Sequence, residues 1–421
     1  LKEESENYKP ETASEITGVS AKVIEQTAKI FADADPGMIY AGYASCKWLH
    51  GDLLQRAMLL LLALTGSTGK EGGGLQIANS PNARGLTQFG FSDVGPAFRL
   101  ISSTTWDYDH ADMKELNEKI YGNDLAEKFD RYYKKSIEED WFPDYSKNGW
   151  KMGIFAGNNG ANWRATGSTW RKTAFEELET IVSLAPDMGV TSLYSDYVLP
   201  IAHHYERNDL MLQSRVPYLQ VLNEAVPPLG EAVDDWEANR RLAEAISRRA
   251  KERNIKPIQD AVDGRTVRRD YTKTLELYTM GGRVNNSKDV AQFIINASHG
   301  IPKISFEELS QKGIVKVEGV ENTMWEKDES PYHNEIVKSV RKKLPYETFT
   351  GRQQFYIDHE WFIEFGETLP TFKEPLKIDD FPLRMMMGHA RHGIHSTWRD
   401  DSFLLSLQRG EPDIYVNPDD A

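Results

Sequence analysis

The chain has 421 residues, 40% hydrophobic and 11% aromatic, which is enough for two or three domains with sizeable cores. Its net charge of −14 offers no basic stripe to neutralise a phosphate backbone and argues against nucleic acid as a partner. The single cysteine, Cys46, excludes an internal disulfide and any cysteine-built zinc or iron–sulfur site within these residues, and the longest apolar run, Ala57 to Leu64, is far too short to span a bilayer.

From the N-terminus, Ser20 to Ala34 reads as an amphipathic helix with Val23, Ile24, Thr27, Ala28 and Phe31 on its apolar face. Pro36-Gly37 ends it, and GMIYAGYAS follows as a short strand. Leu53 to Leu64 is a helix apolar almost all round, which predicts burial. It empties into LTGSTGKEGGGL, where Gly66, Gly69, Gly72, Gly73 and Gly74 leave the backbone nearly bare. Glycine serves this way where main chain takes positive φ or approaches a large ligand, and such loops present N–H groups to phosphates; a flexible turn is the plainer alternative. The run is no Walker A loop, because Glu71 follows Lys70 where Ser or Thr is needed.

Three further strands are expected at Lys151 to Gly157, Thr180 to Ala185 and Asp196 to Ala202. Apolar strands alternating with helical segments predict a parallel sheet covered on both faces, with ligands outside the carboxyl ends of its strands. The turns Asn158-Asn159-Gly160 and Asp187 then fall on the site side. Asp235 to Arg249 reads as a closing helix with Trp236, Leu242, Ala245 and Ile246 as its apolar face, and 250–270 as charged and irregular. Residues 271–374 are mixed, and the segment from Phe381 suits the first strand of another domain.

Three clusters carry candidate chemistry. Cys46, Lys47, Trp48 and His50 stand where a strand gives way to a helix, and a Lys beside a Trp can hold an anionic substrate; Trp48 packing under the helix is the alternative. His203, His204 and Glu206 follow a strand and have acid–base or ligand chemistry, or a structural hydrogen-bonding role. His389, His392 and His395 recur every third residue; that spacing diverges on a helix and alternates on a strand, so polar ligand contacts or a surface cluster outweigh a metal site.

In this order, ITGVSAKVIEQTAKIFA, AGYASCKWLHGDLLQRAMLLLLALTGSTGKEGGG, GIFAGNNGANW, IVSLAPDMGVTSLYSDYVLPIAHHYER, GRQQFYIDHEWF, PLRMMMGHARHGIHSTW and LQRGEPDIYVNPDDA resemble the molybdopterin oxidoreductases of the DMSO reductase family. CKWLHGD and GHARHGIHSTW look most like alpha subunits of its second branch, which includes nitrate, selenate and (per)chlorate reductases, dimethyl sulfide dehydrogenase and ethylbenzene dehydrogenase. The weakest match lies between about Lys251 and Lys342.

The resemblance implies an α/β fold: a Rossmann-like cofactor-binding domain at 1–255, a mixed connecting region at 256–375, and at 376–421 the start of a β-barrel-type C-terminal dinucleotide-binding domain. It implies a molybdenum bis(molybdopterin guanine dinucleotide) cofactor and two-electron oxygen-atom transfer or hydroxylation of a small molecule. Gly69, Gly72, Gly73, Gly74, Asn158, Asn159, Asp187, Thr191, His389, Arg391 and His395 are the expected cofactor residues, and Lys47, Trp48 and His50 line the expected substrate funnel. Implied partners are an iron–sulfur beta subunit and a haem b gamma subunit, in the periplasm.

The cysteine-rich cluster motif and the molybdenum-ligating Asp of that branch are missing, so the chain reads as an internal fragment, with the [4Fe–4S] cluster and metal ligand expected upstream. The competing readings are a cofactor-less scaffold subunit, and a metal hydrolase built on His203, His204 and Glu206.

Overall fold

The computed structural model describes residues 1–42, 48–70, 72–76, 113–139, 150–163, 167–212, 218–262, 265–298, 301–317, 339–340, 342–346, 348–375, 382–385, 391–393, 401–408 and 414–421. The chain forms two compact units, each discontinuous in sequence: Leu1–Thr87 with Met211–Gln220 and Ser298–Lys377, and Gln88–Leu210 with Val221–Ala297 and Ile378–Ala421.

The first unit contains the strand and helix expected before the glycine run, and a further short strand that follows it. Helix α1 (Ala21–Asp33) starts where the Ser20 hydroxyl accepts from the Val23 amide. Strand β1 (Met38–Tyr40) pairs in parallel with β2 (Gly74–Gln76), and α2 (Gly51–Leu64) is the crossover between them. On α1 only Ile24 and Phe31 of the expected face are half-buried; Val23, Thr27 and Ala28 are exposed.

The expectation that α2 is buried all round is corrected. Leu53 and Leu62 are buried, but Leu54, Leu59, Leu61 and Leu64 are exposed. The reason is one-sided docking at the helix's N-terminal half. Arg56 donates to the carbonyls of Glu367 (2.7 Å) and Thr368 (2.9 Å), with its guanidinium over the Phe362 ring. Elsewhere in this unit, the helix Phe306–Lys312 is opened by a reciprocal Ser305–Glu308 capping box, and Ile314–Lys316 runs antiparallel to Tyr218–Gln220.

The second unit is built on a parallel sheet of β3 (Met152–Ala156), β4 (Thr180–Ala185) and β5 (Tyr197–Pro200), in that order and at the three places the sequence indicates. Its core sets Ala161, Trp170, Ala174, Phe175, Leu178 and Ile181 against Trp150, Phe155 and Val190. Cover is incomplete at the edges: Met152, Ile154 and Leu199 are exposed, whereas Leu184 in the central strand is buried.

Helix α3 (Asp235–Glu252) matches the expected closing helix, but its buried face is Ala243, Ser247 and Ala250. Leu242 and Ile246 are exposed. Small residues on the buried stripe admit a close neighbour: the Ser247 hydroxyl accepts from the Leu275 amide at 2.8 Å, and Tyr278 stacks on Trp236 with centroids 5.7 Å apart. The stretch 250–270, expected to be irregular, contains an antiparallel hairpin of β6 (Ile258–Val262) and β7 (Arg265–Arg269). Within 376–421, the described residues hold one short helix, Ser402–Ser406, and no strand.

Candidate functional site

The carboxyl edge of the parallel sheet is where polar side chains converge. After β3 the chain turns at Gly157, with φ +58°, into Asn158, Asn159 and the turn Gly160–Trp163. After β4 it passes Asp187 and enters Val190–Leu193. The two loops are tied together by side chains. The Asn159 carboxamide oxygen accepts from the Thr191 backbone N–H (3.0 Å) and hydroxyl (2.8 Å), and that hydroxyl accepts from the Ala161 amide (3.1 Å). Thr191 is 2% exposed, so these bonds are shielded from water.

The same loop is secured from below. The hydroxyls of Ser183 and Ser192 lie 3.0 Å apart, and Asp196 accepts from the Ile181 amide at 2.7 Å. Arg171 donates to the Ala161 carbonyl and lies over the Tyr194 ring. With the loops fixed in this way, Asn158 and Asp187 are exposed residues at adjacent strand ends. Sequence reasoning located the edge, and it missed Arg171 and Ser192, whose importance comes from three-dimensional proximity to residues far along the chain.

The structure gives His203, His204 and Glu206 a local structural role. They form a single turn after β5 in which Glu206 accepts from the His203 amide at 2.8 Å, a reciprocal capping box. Burial lowers the His204 pKa from its ordinary value, assisted by Arg207 and then His203. No group of metal-ligating side chains forms a site among the described residues.

The glycine loop belongs to the separate β1–β2 sheet of the first unit. It runs from the C-terminus of α2 into the start of β2, and so lies at the amino ends of β1 and β2. There it closes on the Asp35-Pro36-Gly37 turn: Gly37 N–H donates to the buried Ser67 hydroxyl (2.9 Å), Gly74 N–H to the Gly37 carbonyl (3.2 Å), and Lys70 meets Asp35 (2.6 Å). Gly69, Gly72 and Gly74 have positive φ, and a Cβ on Gly73 would lie 2.5 Å from the Ser67 carbonyl oxygen. At Gly73 the missing side chain is accounted for by chain-to-chain approach.

His50, beyond the carboxyl end of β1, starts α2 in a left-handed conformation (φ 66°), and its Nδ1 is 2.7 Å from a Glu367 carboxylate oxygen. Trp48 is 41% exposed. Arg391 is exposed; Cys46, Lys47, His389 and His395 lie outside the described residues.

The donor set at the carboxyl edge is a carboxylate and carboxamides on rigidly held loops, which fits the N–H edge of a purine base and ribose hydroxyls. The family model for molybdopterin oxidoreductases matches residues 7–245. The chain belongs to the molybdopterin oxidoreductase family. It is 34% identical to the perchlorate reductase subunit alpha of Dechloromonas aromatica, over 98% of this chain and 44% of the relative. It is 32% identical to the respiratory nitrate reductase subunit alpha of Haloferax mediterranei, over 100% of this chain and 44% of that one. To the dimethylsulfide dehydrogenase subunit alpha of Rhodovulum sulfidophilum it is 31% identical, over 99% and 46%. The molybdopterin oxidoreductase chain thus spans less than half the length of these relatives.

Acetylene hydratase from Pelobacter acetylenicus shares the fold, with a TM-score of 0.58 at 17% identity, over 97% of this chain and 51% of that one. Family membership implies a molybdenum–pterin cofactor, and the relatives' designation as alpha subunits implies multi-subunit assemblies. No described helix is long and apolar enough to cross a membrane.

Proposed function

We propose that this chain is part of the catalytic alpha subunit of a bis(molybdopterin guanine dinucleotide) oxidoreductase of the second branch of the DMSO reductase family. The whole enzyme performs two-electron oxygen-atom transfer or hydroxylation in anaerobic respiration. It works with an iron–sulfur beta subunit and a haem b gamma subunit in the periplasm, and its molybdenum ligand and [4Fe–4S] motif belong to the part of the relatives' length that this chain does not span. The substrate is an oxyanion or a small reduced organic molecule, the two classes named among the relatives.

The observation that carries this reading is the Asn159–Thr191 tie, which fixes two adjacent loops at the carboxyl edge with Asp187 exposed on one of them. When bound, the cofactor supplies the redox chemistry; the protein supplies orientation. Asp187 takes paired hydrogen bonds from the N1–H and amino group of guanine, a pattern adenine does not offer. Asn158 adds a carboxamide beside it, and Thr191 and Asn159 hold both in place. His389, Arg391 and His395 are assigned to the cofactor by resemblance alone. The glycine loop, engaged with Pro36 and Gly37, is not needed for this assignment.

The test is Asp187→Ala in the full-length subunit, with molybdenum and released GMP measured per chain. Losing one charge-assisted pair costs about 1–3 kcal/mol, so cofactor affinity falls about fivefold or more and occupancy drops under limiting cofactor while the fold persists. Unchanged molybdenum and GMP overturn the assignment.

A further inference from the structure

Although the chain carries −14 overall, residues 248–273 hold nine basic and only four acidic side chains. Helix α3 ends with Lys251 exposed in its last turn, and Arg253 and Lys256 follow, also exposed. The hairpin returns the chain to the same place, because β6 and β7 pair Gln259 with Arg268 and Ile258 with Arg269. Two of the four carboxylates are already engaged: Glu252 binds Arg248 (3.1 Å) and Arg249 (3.2 Å), and Asp270 accepts from Thr272.

Within this cationic surround, Ile255 and Ile258 are 41% and 46% exposed. Cations around an apolar centre are the anatomy of a protein interface. The complement to the C-terminal helix dipole explains Arg249 and Lys251 but does not reach Lys256 or Arg268. The hairpin is also a two-stranded sheet that no third described strand joins. Such a ribbon is marginal alone in water. A second copy meeting it through the same face would set like charge against like charge, so the surface that docks here is acidic.

We propose that the end of α3 and the β6–β7 hairpin dock an acidic protein surface, whose carboxylates meet Lys251, Arg253, Lys256 and Arg268 around Ile255 and Ile258. That the partner is another subunit of the same enzyme rests on the function proposed above; the docking surface does not.

The experiment is zero-length carbodiimide cross-linking of the purified native complex, which joins lysine amines only to carboxylates in contact. Lys251 and Lys256 are expected to link to Asp or Glu of a different chain. The triple variant Arg253→Glu, Lys256→Glu, Arg268→Glu, with circular dichroism and Tm confirming its fold, should bind that chain at least tenfold more weakly at low salt and with a shallower salt dependence. Cross-links confined to this chain, or unchanged association of the folded variant, overturn the proposal. So does charge-dependent binding to phosphatidylglycerol vesicles or duplex DNA without any cross-link to a protein. An unaltered full-length subunit lacking molybdenum would instead sink the functional reading and leave this result standing.

Discussion

Asn159 and Thr191 lock the two loops at the carboxyl edge of the parallel sheet through a single carboxamide oxygen, which accepts two hydrogen bonds from one residue 32 positions away. Thr191 is buried, and its hydroxyl is at once donor to Asn159 and acceptor from Ala161. Thr191→Val keeps the shape and removes both roles, leaving the Ala161 N–H without this acceptor. The expected cost is about 1–3 kcal/mol, read as a lower urea midpoint with unchanged m-value. Thr191→Ser should restore most of it. Equal stability of the Val variant would show that the tie contributes nothing.

Gly73 is predicted to be intolerant for reasons internal to the fold. Its missing Cβ would sit 2.8 Å from Pro36 Cβ as well as against the Ser67 carbonyl. Gly73→Ala must push these apart, costing about 1–3 kcal/mol as overpacking does. Hydrogen exchange should quicken at Gly74, whose amide donates to Gly37, and stay unchanged at Ile181 in the other unit. Unaltered exchange at Gly74 would contradict the close approach.

The three parallel strands and the α3 segment were legible because their apolar runs and capping residues are local signals: Asp234 caps α3 by accepting from Glu237 at 2.7 Å. Which face of a helix is buried was less legible. On α3 the larger Leu242 and Ile246 point to solvent, because Ala243 and Ser247 permit the closer approach to Leu275. At the glycine run the limit is related. Composition shows that main chain comes close to something there; whether that something is a phosphate or Pro36 depends on which end of the strands the loop meets. At the site, Asn159 and Asp187 were readable from strand ends, whereas Arg171, reaching the Ala161 carbonyl, has no sequence signal.

An acid-dependent contribution to stability is expected at Glu237. Hydrogen bonds from Arg240, and then from Arg241, hold its carboxyl down to about 2 from the ordinary 4.5. A carboxyl depressed in the folded state stabilises above its unfolded value, and that stability is lost as pH falls from about 4.5 toward 2. The group is on a helix surface, so solvent screening limits the effect to about 1 kcal/mol or less. Urea unfolding at pH 7 and pH 3 should show a smaller drop for Glu237→Gln than for the parent. Identical drops would remove Glu237 from the acid response.

His50 and Trp48 separate a tether from a funnel. The His50–Glu367 contact, with side chains 17% and 12% exposed, ties the start of α2 to the segment that also binds Arg56. His50→Leu leaves a largely buried carboxylate without that donor and should cost about 1–3 kcal/mol, seen as a lower Tm. Trp48 is substantially exposed, so Trp48→Ala should change stability by about 0.5 kcal/mol or less. If Trp48 lines the substrate funnel, the same variant in the full-length enzyme should lower kcat/KM about tenfold or more with molybdenum content intact. Measuring Tm, molybdenum and kcat/KM on both variants assigns each residue. An unchanged Tm for His50→Leu removes the tether, and an unchanged kcat/KM for Trp48→Ala removes Trp48 from the funnel.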